Sequence, residues 1–283
     1  MSLRPAPGPA RIEPPSEAPI RRGWVRAMSS GNVGAVIERA FLATRTSNWW
    51  IIITGFFEPV FYLLSLGLGV GGFIGSVSDG AGHEISYAAF VAPALLAVSA
   101  MNGAIYESTW NVFFKMQYAK LYQGMLATSL GPLDVALGEI VWGLLRGAIY
   151  AIGFQIVMQV LGLNLAWTAL LAVPAVVLVG FGFSSLGMGV TSYMKTFQQM
   201  DWIAFFIMPL FLLSATFYPI TVYPDWAQWI IMCLPLWHGV ELIRGLTTGA
   251  LDWTMLIHVA YYVAMIAFGL AFTTRRLRAL FLK

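Results

Sequence analysis

The chain has 283 residues, and its composition excludes a soluble globular domain. Apolar residues make up 59% of it, charged residues only 10%, and the mean hydropathy is +0.75. A soluble domain normally carries about a quarter charged residues. The net charge of +3 comes from the chain ends, so it indicates membrane orientation and does not imply a nucleic-acid partner.

The apolar residues fall in long continuous runs, without the weak alternation of a membrane β-barrel. Because helices satisfy their own backbone groups inside a bilayer, these runs predict an all-α integral membrane protein. Residues 1–30 differ: they are Pro-rich, carry both charge signs and lack the apolar core of a signal peptide. We predict a disordered cytoplasmic tail over 1–30, followed by a transmembrane domain over 31–283.

Residues 31–48 mix apolar residues with Glu38, Arg39 and Arg45. The apolar positions share one helical face, which predicts an interfacial helix on the inner leaflet. The alternative is a cytoplasmic extension of the first span.

Six apolar runs are long enough to cross a bilayer as helices. They cover residues 49–73, 87–106, 137–163, 168–194, 202–220 and 253–273. A shorter run, 226–237, contains Pro235 and suits a re-entrant or interfacial segment better than a span. With six spans, the basic residues of the loops and termini all lie on one side of the membrane, except Arg244, which lies on the other. The positive-inside rule therefore puts both termini in the cytoplasm.

The stretch from Glu107 to Glu139 is the one long internal segment that the sequence excludes as a span. Polar and charged residues interrupt it at Lys115, Gln117, Lys120, Gln123 and Asp134. Its apolar residues still recur at helical spacing. We predict an amphipathic helix on the cytoplasmic surface that joins spans two and three. It would provide the exposed element through which a soluble partner acts on the membrane helices.

Two charges fall inside predicted spans, where each costs about 2.5–3.5 kcal/mol at the bilayer centre. At about 1.5 Å per residue, Glu58 lies roughly 15 Å into span one and Arg146 roughly 14 Å into span three. Both spans run from inside to outside, so the two charges lie at similar depth in the membrane. Because charges inside a membrane usually find partners, we hypothesise that the two side chains pair. The alternative is that each faces water or a neighbouring amide.

Glu107 lies at the inner end of span two, within reach of the interfacial helix. We predict that it pairs with a basic residue of that helix, most simply Arg39. A solvated end charge is the alternative, because exposed pairs contribute little.

Motifs for catalysis, nucleotide binding and metal binding are absent from the sequence. There is no GxxxxGK[ST], HExxH or GxSxG pattern, so we predict no catalytic residues. The single cysteine excludes an intrachain disulfide, and the three histidines (His83, His238 and His258) are isolated, so no metal site is expected. Asn102 of span two and four aromatic residues of span five are candidates for a substrate path: Phe205, Phe206, Phe211 and Phe217. Packing or lipid contact is the alternative for the aromatic residues.

Several short sequence segments, taken in their order along the chain, resemble those of the permeases of ABC-2 type transporters. The resemblance extends from about residue 35 to the C-terminus. The segments are EPVFYLLSLGLGVG, FVAPALLAVSAM, FFKMQYAKLYQGMLATSL, the Asp134 and Gly138-Glu139 positions, FLLSATFYPI and LPLWHGVELIRG. The resemblance is to the branch of nodulation-factor, polysaccharide and drug-resistance exporters. Ala94 departs from it, since the family often has glycine there.

The resemblance implies a complex of two permease subunits, identical or related, with two cytoplasmic ATPase subunits. ATP and Mg²⁺ would bind the ATPase chains, and no cofactor would bind this one. Residues 31–48 would match the family's connecting helix, and 223–249 its outer re-entrant helices. The family's coupling helix, seated in a cleft of the ATPase, would correspond to Trp110, Phe113, Phe114, Lys115, Tyr118, Lys120 and Tyr122.

The expected function is that of an exporter's permease subunit in a bacterial cytoplasmic membrane, where it is surrounded by lipid. It would move amphipathic drugs or glycolipids outward while a separate ATPase hydrolyses ATP. Export of polysaccharide or lipo-oligosaccharide is the alternative. An ATP-independent channel or secondary transporter is less favoured, because no inverted repeat is visible. A membrane enzyme is disfavoured by the missing catalytic set.

Overall fold

The computed structural model describes residues 31–45, 57, 60–78 and 84–281. The predicted tail, the start of span one, Glu58 and His83 lie outside these ranges. The helices are α1 (Val33–Arg45), α2 (Val60–Ile74), α3 (Tyr87–Tyr118), α4 (Leu121–Leu126), α5 (Pro132–Val160), α6 (Trp167–Thr191), α7 (Phe197–Leu213), α8 (Asp225–Met232), α9 (Pro235–Thr248) and α10 (Thr254–Phe281).

Four of the described helices are long and apolar enough to cross a membrane: α3, α5, α6 and α10. Helices α8 and α9 meet at an angle of 87° and together would count as a fifth, broken span. Helices α2 and α7 are apolar but shorter. The structure therefore confirms a helical protein with several spans, while six full-length spans remain a prediction.

A two-stranded antiparallel ribbon departs from the all-α prediction. Strands β1 (Ser76–Ser78) and β2 (Glu84–Ser86) pair between α2 and α3, with Val77 opposite Ile85. These residues lie between the predicted spans at 49–73 and 87–106. The alternation of serines with Val77 and Ile85 fits a half-buried strand pair, because successive side chains point to opposite faces.

Helix α3 is longer than predicted, because it continues from Tyr106 through two π-helical turns to Tyr118. The charged stretch is therefore not a separate helix. No glycine or proline interrupts 105–118, and the Lys115 charge is neutralised by a tertiary contact. The helix breaks at Lys120, which takes a left-handed backbone conformation with φ of 47°.

The other end of the charged stretch belongs to α5. Pro132 takes the first helical position, where its missing N–H has no partner to lose. The Asp134 carboxylate accepts from the Gly131 N–H at 2.9 Å and caps the helix. We call residues 107–131 the connector: they comprise the π-helical end of α3, helix α4 and the loop that leads to α5.

Helix α7 ends at Leu213, although the apolar run predicted a span to Ile220. The Ser214 and Thr216 hydroxyls donate to the carbonyls of Leu210 and Phe211, which satisfies the last turn locally. Ala215 between them takes a positive φ of 52°, which a continuing helix does not allow.

Helix α6 packs closely between α3 and α10 through its small residues. A Cβ added at Gly182 would meet the Tyr262 ring at 2.6 Å, and one at Gly187 would collide with Ser108. Thr191 and Thr273 add hydrogen bonds from α6 to α3 and from α10 to α6. Small residues permit such close approach inside membranes, where packing drives helix association.

Gly138 sets the position of the amphipathic helix α1 against α5. A Cβ built there would lie 2.5 Å from the Val36 side chain, which is 1% exposed. We expect Gly138→Leu to force α1 away and lower stability by about 1–3 kcal/mol through overpacking. Thermal unfolding of the purified protein in detergent measures this.

Gly147→Leu is the matched control on the same helix, because nothing lies within 4 Å of a Cβ at Gly147. Equal melting temperatures for the two variants would show that α1 does not need this contact.

Candidate functional site

A buried carboxylate joins α1, α3 and α5. The Glu139 side chain accepts from Arg39 Nη2 at 3.1 Å and from Lys115 Nζ at 2.5 Å. The Glu139 side chain is only 4% exposed, whereas Arg39 and Lys115 retain 35% and 20%. A buried carboxylate is stable only when it is paired and hydrogen-bonded. Glu139 therefore holds α1 and the start of the connector to α5.

A second ion pair lies two turns farther along α5. The Glu107 carboxylate pairs with Arg146 Nη2 and also accepts from Asn111 Nδ2 at 2.9 Å. Gly143 lets α3 approach, since a Cβ there would lie 3.3 Å from the Glu107 side chain. The connector is thus anchored to α5 at both Lys115 and Glu107.

The predicted pairing of Glu107 with Arg39 is wrong. Arg39 faces the turn of α5 that carries Glu139, because α1 touches α5 at Gly138. The partner that the hypothesis assigned to Arg146, Glu58, lies outside the described residues. Within the described ranges, Arg146 pairs with Glu107.

A small cavity of about 10 Å³ separates the two carboxylates. Glu107, Ser108, Glu139 and Ser184 contribute its polar lining, and Val112, Ile140 and Met188 the apolar part. A cavity of this size holds about one water molecule. The two ion pairs therefore border one polar pocket at the junction of α3, α5 and α6.

Tyr122 of α4 lies beside this junction and is fully buried. Burial raises its pKa well above the ordinary value, and the nearby Glu139 charge raises it further while Arg39 opposes the shift. The phenol is therefore neutral, and its ring belongs to a buried cluster that also contains Val36 of α1, Val112 of α3 and Ile140 of α5. This position excludes Tyr122 from direct contact with a soluble partner.

The predicted coupling residues fall into two groups. Trp110, Phe113, Phe114 and Tyr118 form an aromatic cluster with Phe197 of α7. Phe114 and Tyr118 are 45% and 66% exposed, and Lys120 is also exposed. We call Phe114, Tyr118 and Lys120 the tip of the connector.

The remaining coupling candidates lie in the base of the connector. Phe113 is buried, Trp110 is half-buried and Lys115 is engaged by Glu139. Their side chains support the tip and do not present themselves to a partner.

The candidate substrate-path residues are not brought together. Asn102, Phe205 and Phe206 are exposed. Phe211 and Phe217 instead meet edge to face at 5.1 Å and pack against the main core.

Two of the three histidines that the sequence pattern indicates to be isolated contact each other. His238 Nδ1 of α9 and His258 Nδ1 of α10 are 2.7 Å apart, so they are not isolated from each other. No sequence pattern signals this pair, because its members are 20 residues apart on different helices. Among the described residues, no group of three or more metal-binding side chains occurs.

Comparison with known proteins identifies a family and several relatives for this chain. Residues 32–248 match the family described as ABC-2 type transporter. The chain is 33% identical to Nodulation protein J of Rhizobium leguminosarum bv. viciae over 249 residues, which cover 86% of this chain and 93% of the relative. It is 30% identical to Nodulation protein J of Rhizobium meliloti (strain 1021) over 231 residues, covering 81% and 84%.

The family match covers most of the chain and includes α1, the connector, both ion pairs and α9. The similarity extends over most of the length of both relatives. The resemblance stated from the sequence is therefore confirmed, and the chain belongs to the ABC-2 type transporter family.

Proposed function

We propose that the chain is the membrane permease subunit of an ATP-driven exporter. ATP and Mg²⁺ bind two separate cytoplasmic ATPase subunits, and a second permease copy, identical or related, completes the pathway. The proposal assigns six spans with both termini cytoplasmic, so that α2 and α7 complete their spans in the assembled complex. The bent pair α8 and α9 then lies on the outer side as a re-entrant segment.

The observation that carries this proposal is the construction of the connector. Its base is held by two ion pairs and by buried Phe113 and Tyr122, while its tip is exposed, aromatic and basic. Aromatic side chains are enriched in the cores of protein interfaces, and the rim around such a core is polar, which suits a lysine. A rigid base beneath such a tip transmits a push from a soluble partner to α1, α3 and α5.

The substrate class follows from the chain's relatives and surroundings. An amphipathic molecule with an acyl or aromatic part and a polar head fits a permease whose α7 is lined with exposed aromatic residues. The similarity to nodulation proteins favours a glycolipid or lipo-oligosaccharide over a drug. Drug export is the second candidate, and the exposed Phe205 and Phe206 of α7 favour it.

Charge reversal at the tip tests the coupling role. We expect Lys120→Glu to lower both transport and substrate-stimulated ATP hydrolysis of the complex, because it opposes the proposed basic contact while leaving the fold intact. Lys115 is unsuitable for this test, since reversing it would place two carboxylates against each other at Glu139. The measurement is ATP hydrolysis by the complex in nanodiscs, with and without substrate.

Lys195→Glu is the matched control, because Lys195 is another exposed lysine outside the tip. Equal stimulated hydrolysis in wild type and Lys120→Glu would contradict the proposed coupling. Substrate movement by the purified chain without an ATPase would favour a secondary transporter.

A further inference from the structure

Helix α7 is held mainly at its two ends. None of residues 201–213 is fully buried, and a single stripe that includes Ile203, Ile207 and Leu210 lies against its neighbours. Within the described part of the chain, no hydrogen bond joins residues 201–213 to another helix. The specific polar and aromatic contacts concentrate before Asp201 and after Leu213.

The first end of α7 is held by the connector. Gln117 Nε2 donates to the Met194 carbonyl at 2.9 Å, just before α7 begins. The Phe197 ring centroid lies 5.0 Å from that of Trp110 and 6.1 Å from that of Phe114. A movement of the connector therefore acts directly on the start of α7.

The other end of α7 is held by Arg244 of α9, which is 4% exposed. Its Nη2 donates to the Ala215 carbonyl at 3.0 Å, just after α7 ends. Its Nη1 donates to Glu241 at 2.6 Å and its Nε to the Phe90 carbonyl of α3 at 3.4 Å. The guanidinium also lies 3.9 Å from the centroid of the Phe90 ring.

This arrangement suits arginine and not lysine. The planar guanidinium presents several donors in a fixed fork, which here reaches acceptors on three separate elements. Ala215 holds a positive φ of 52°, an uncommon conformation for a residue with a Cβ. If the end of α7 moved away from α9, the buried Arg244 guanidinium would therefore lose a hydrogen bond, which is costly for a buried cation.

The two attachments lie at opposite ends of the helical bundle. Phe90 and Trp110 are 20 positions apart on α3, which corresponds to about 30 Å along a helix. Two helices link these ends: α3 contains part of the connector and contacts Arg244 through Phe90, and α7 contacts the connector before its start and Arg244 just after its end.

We propose that Arg244 is a positioning residue that makes the end of α7 move together with α9. A displacement of the connector then passes through α7 to the bent pair α8 and α9. This inference rests on the proposed function, because it assumes that ATP binding moves the connector.

Cys233 reports on the bent pair without any introduced label site. It is the chain's single cysteine, is exposed, and lies between α8 and α9. The experiment measures the rate at which a maleimide labels Cys233 in the permease–ATPase complex in nanodiscs, without nucleotide and after trapping with ATP and vanadate. We expect the wild-type rate to differ between the two states.

Arg244→Met and Arg244→Lys are expected to lose this nucleotide-dependent difference. Arg276→Met is the control, since Arg276 also contacts an aromatic ring, 4.0 Å from the Tyr193 centroid, but lies away from α9. Phe197→Ala is the second variant. It weakens the opposite attachment of α7 through a side chain that is 42% exposed, and it leaves the buried Arg244 contacts in place.

The outcomes separate the inference from the proposed function. If all Arg244 and Phe197 variants keep the wild-type difference, or if the wild type shows none while its complex hydrolyses ATP, the inference is overturned alone. If no ATPase assembles with the chain, the proposed function fails and the inference fails with it. Loss of the difference in Arg244→Lys and Phe197→Ala, but not in Arg276→Met, supports the inference.

Discussion

Glu139→Gln is expected to lower the free energy of unfolding by about 3 kcal/mol, the lower end of the range for breaking a buried ion pair. The substitution keeps the shape of the side chain but leaves Arg39 and Lys115 without a counter-charge. Both cations retain some exposure, so water relieves part of the penalty. Unfolding in mixed micelles, followed by tryptophan fluorescence, measures the change.

Two comparisons make this result specific to the ion pair. Glu38→Gln removes an exposed carboxylate from the same region, on α1, and is expected to change stability little. Adding Lys115→Met to Glu139→Gln removes one unpaired cation and is expected to recover part of the loss. Identical unfolding of Glu139→Gln and wild type would mean that Glu139 does not hold α1 and α3 to α5.

Exchanging the charges of Glu107 and Arg146 is expected to rescue what each single reversal loses. Glu107→Arg places two guanidinium groups together, and Arg146→Glu places two carboxylates together, inside a helix pair that is brought close by Gly143. We expect each single change to cost about 3–5 kcal/mol and the double exchange to recover most of it. The double-mutant cycle on folding yield and stability measures the coupling directly.

The same cycle decides between two partners for Arg146. Glu58, the partner hypothesised from depth in the membrane, lies outside the described residues. Arg146→Glu combined with Glu58→Arg is therefore the matched comparison. Rescue by the Glu58 exchange and none by the Glu107 exchange would contradict the pair that the structure shows.

The lengths of the main helices follow from the apolar runs. The runs at 137–163, 168–194 and 253–273 correspond to α5 (Pro132–Val160), α6 (Trp167–Thr191) and α10 (Thr254–Phe281). The boundaries agree within five residues except at the end of α10, because a long apolar segment in a bilayer satisfies its backbone only as a helix. The close packing of α6 has a similar local basis, since helix packing in membranes depends on small residues such as its glycines.

The sequence-based predictions of helix ends and ion-pair partners are wrong where a residue distant in the chain determines the local structure. The sequence ends the second span at residue 106 and counts Lys115 among the residues that interrupt the next stretch, but α3 continues past Lys115, whose charge Glu139 neutralises from 24 residues away. Arg39 was assigned to Glu107 by proximity in the predicted topology. The contact of Val36 with Gly138 turns Arg39 toward Glu139 instead.

The sequence by itself determined the membrane class, the helical runs, the family and the presence of charges that need partners. These properties depend on composition and on the order of residues along one chain. Tertiary structure alone decided which charges pair, which connector residues are exposed, and that Arg244 and the two histidines meet distant partners. Those outcomes depend on how each helix is rotated and where it crosses its neighbours, which neither hydropathy nor spacing along the chain specifies.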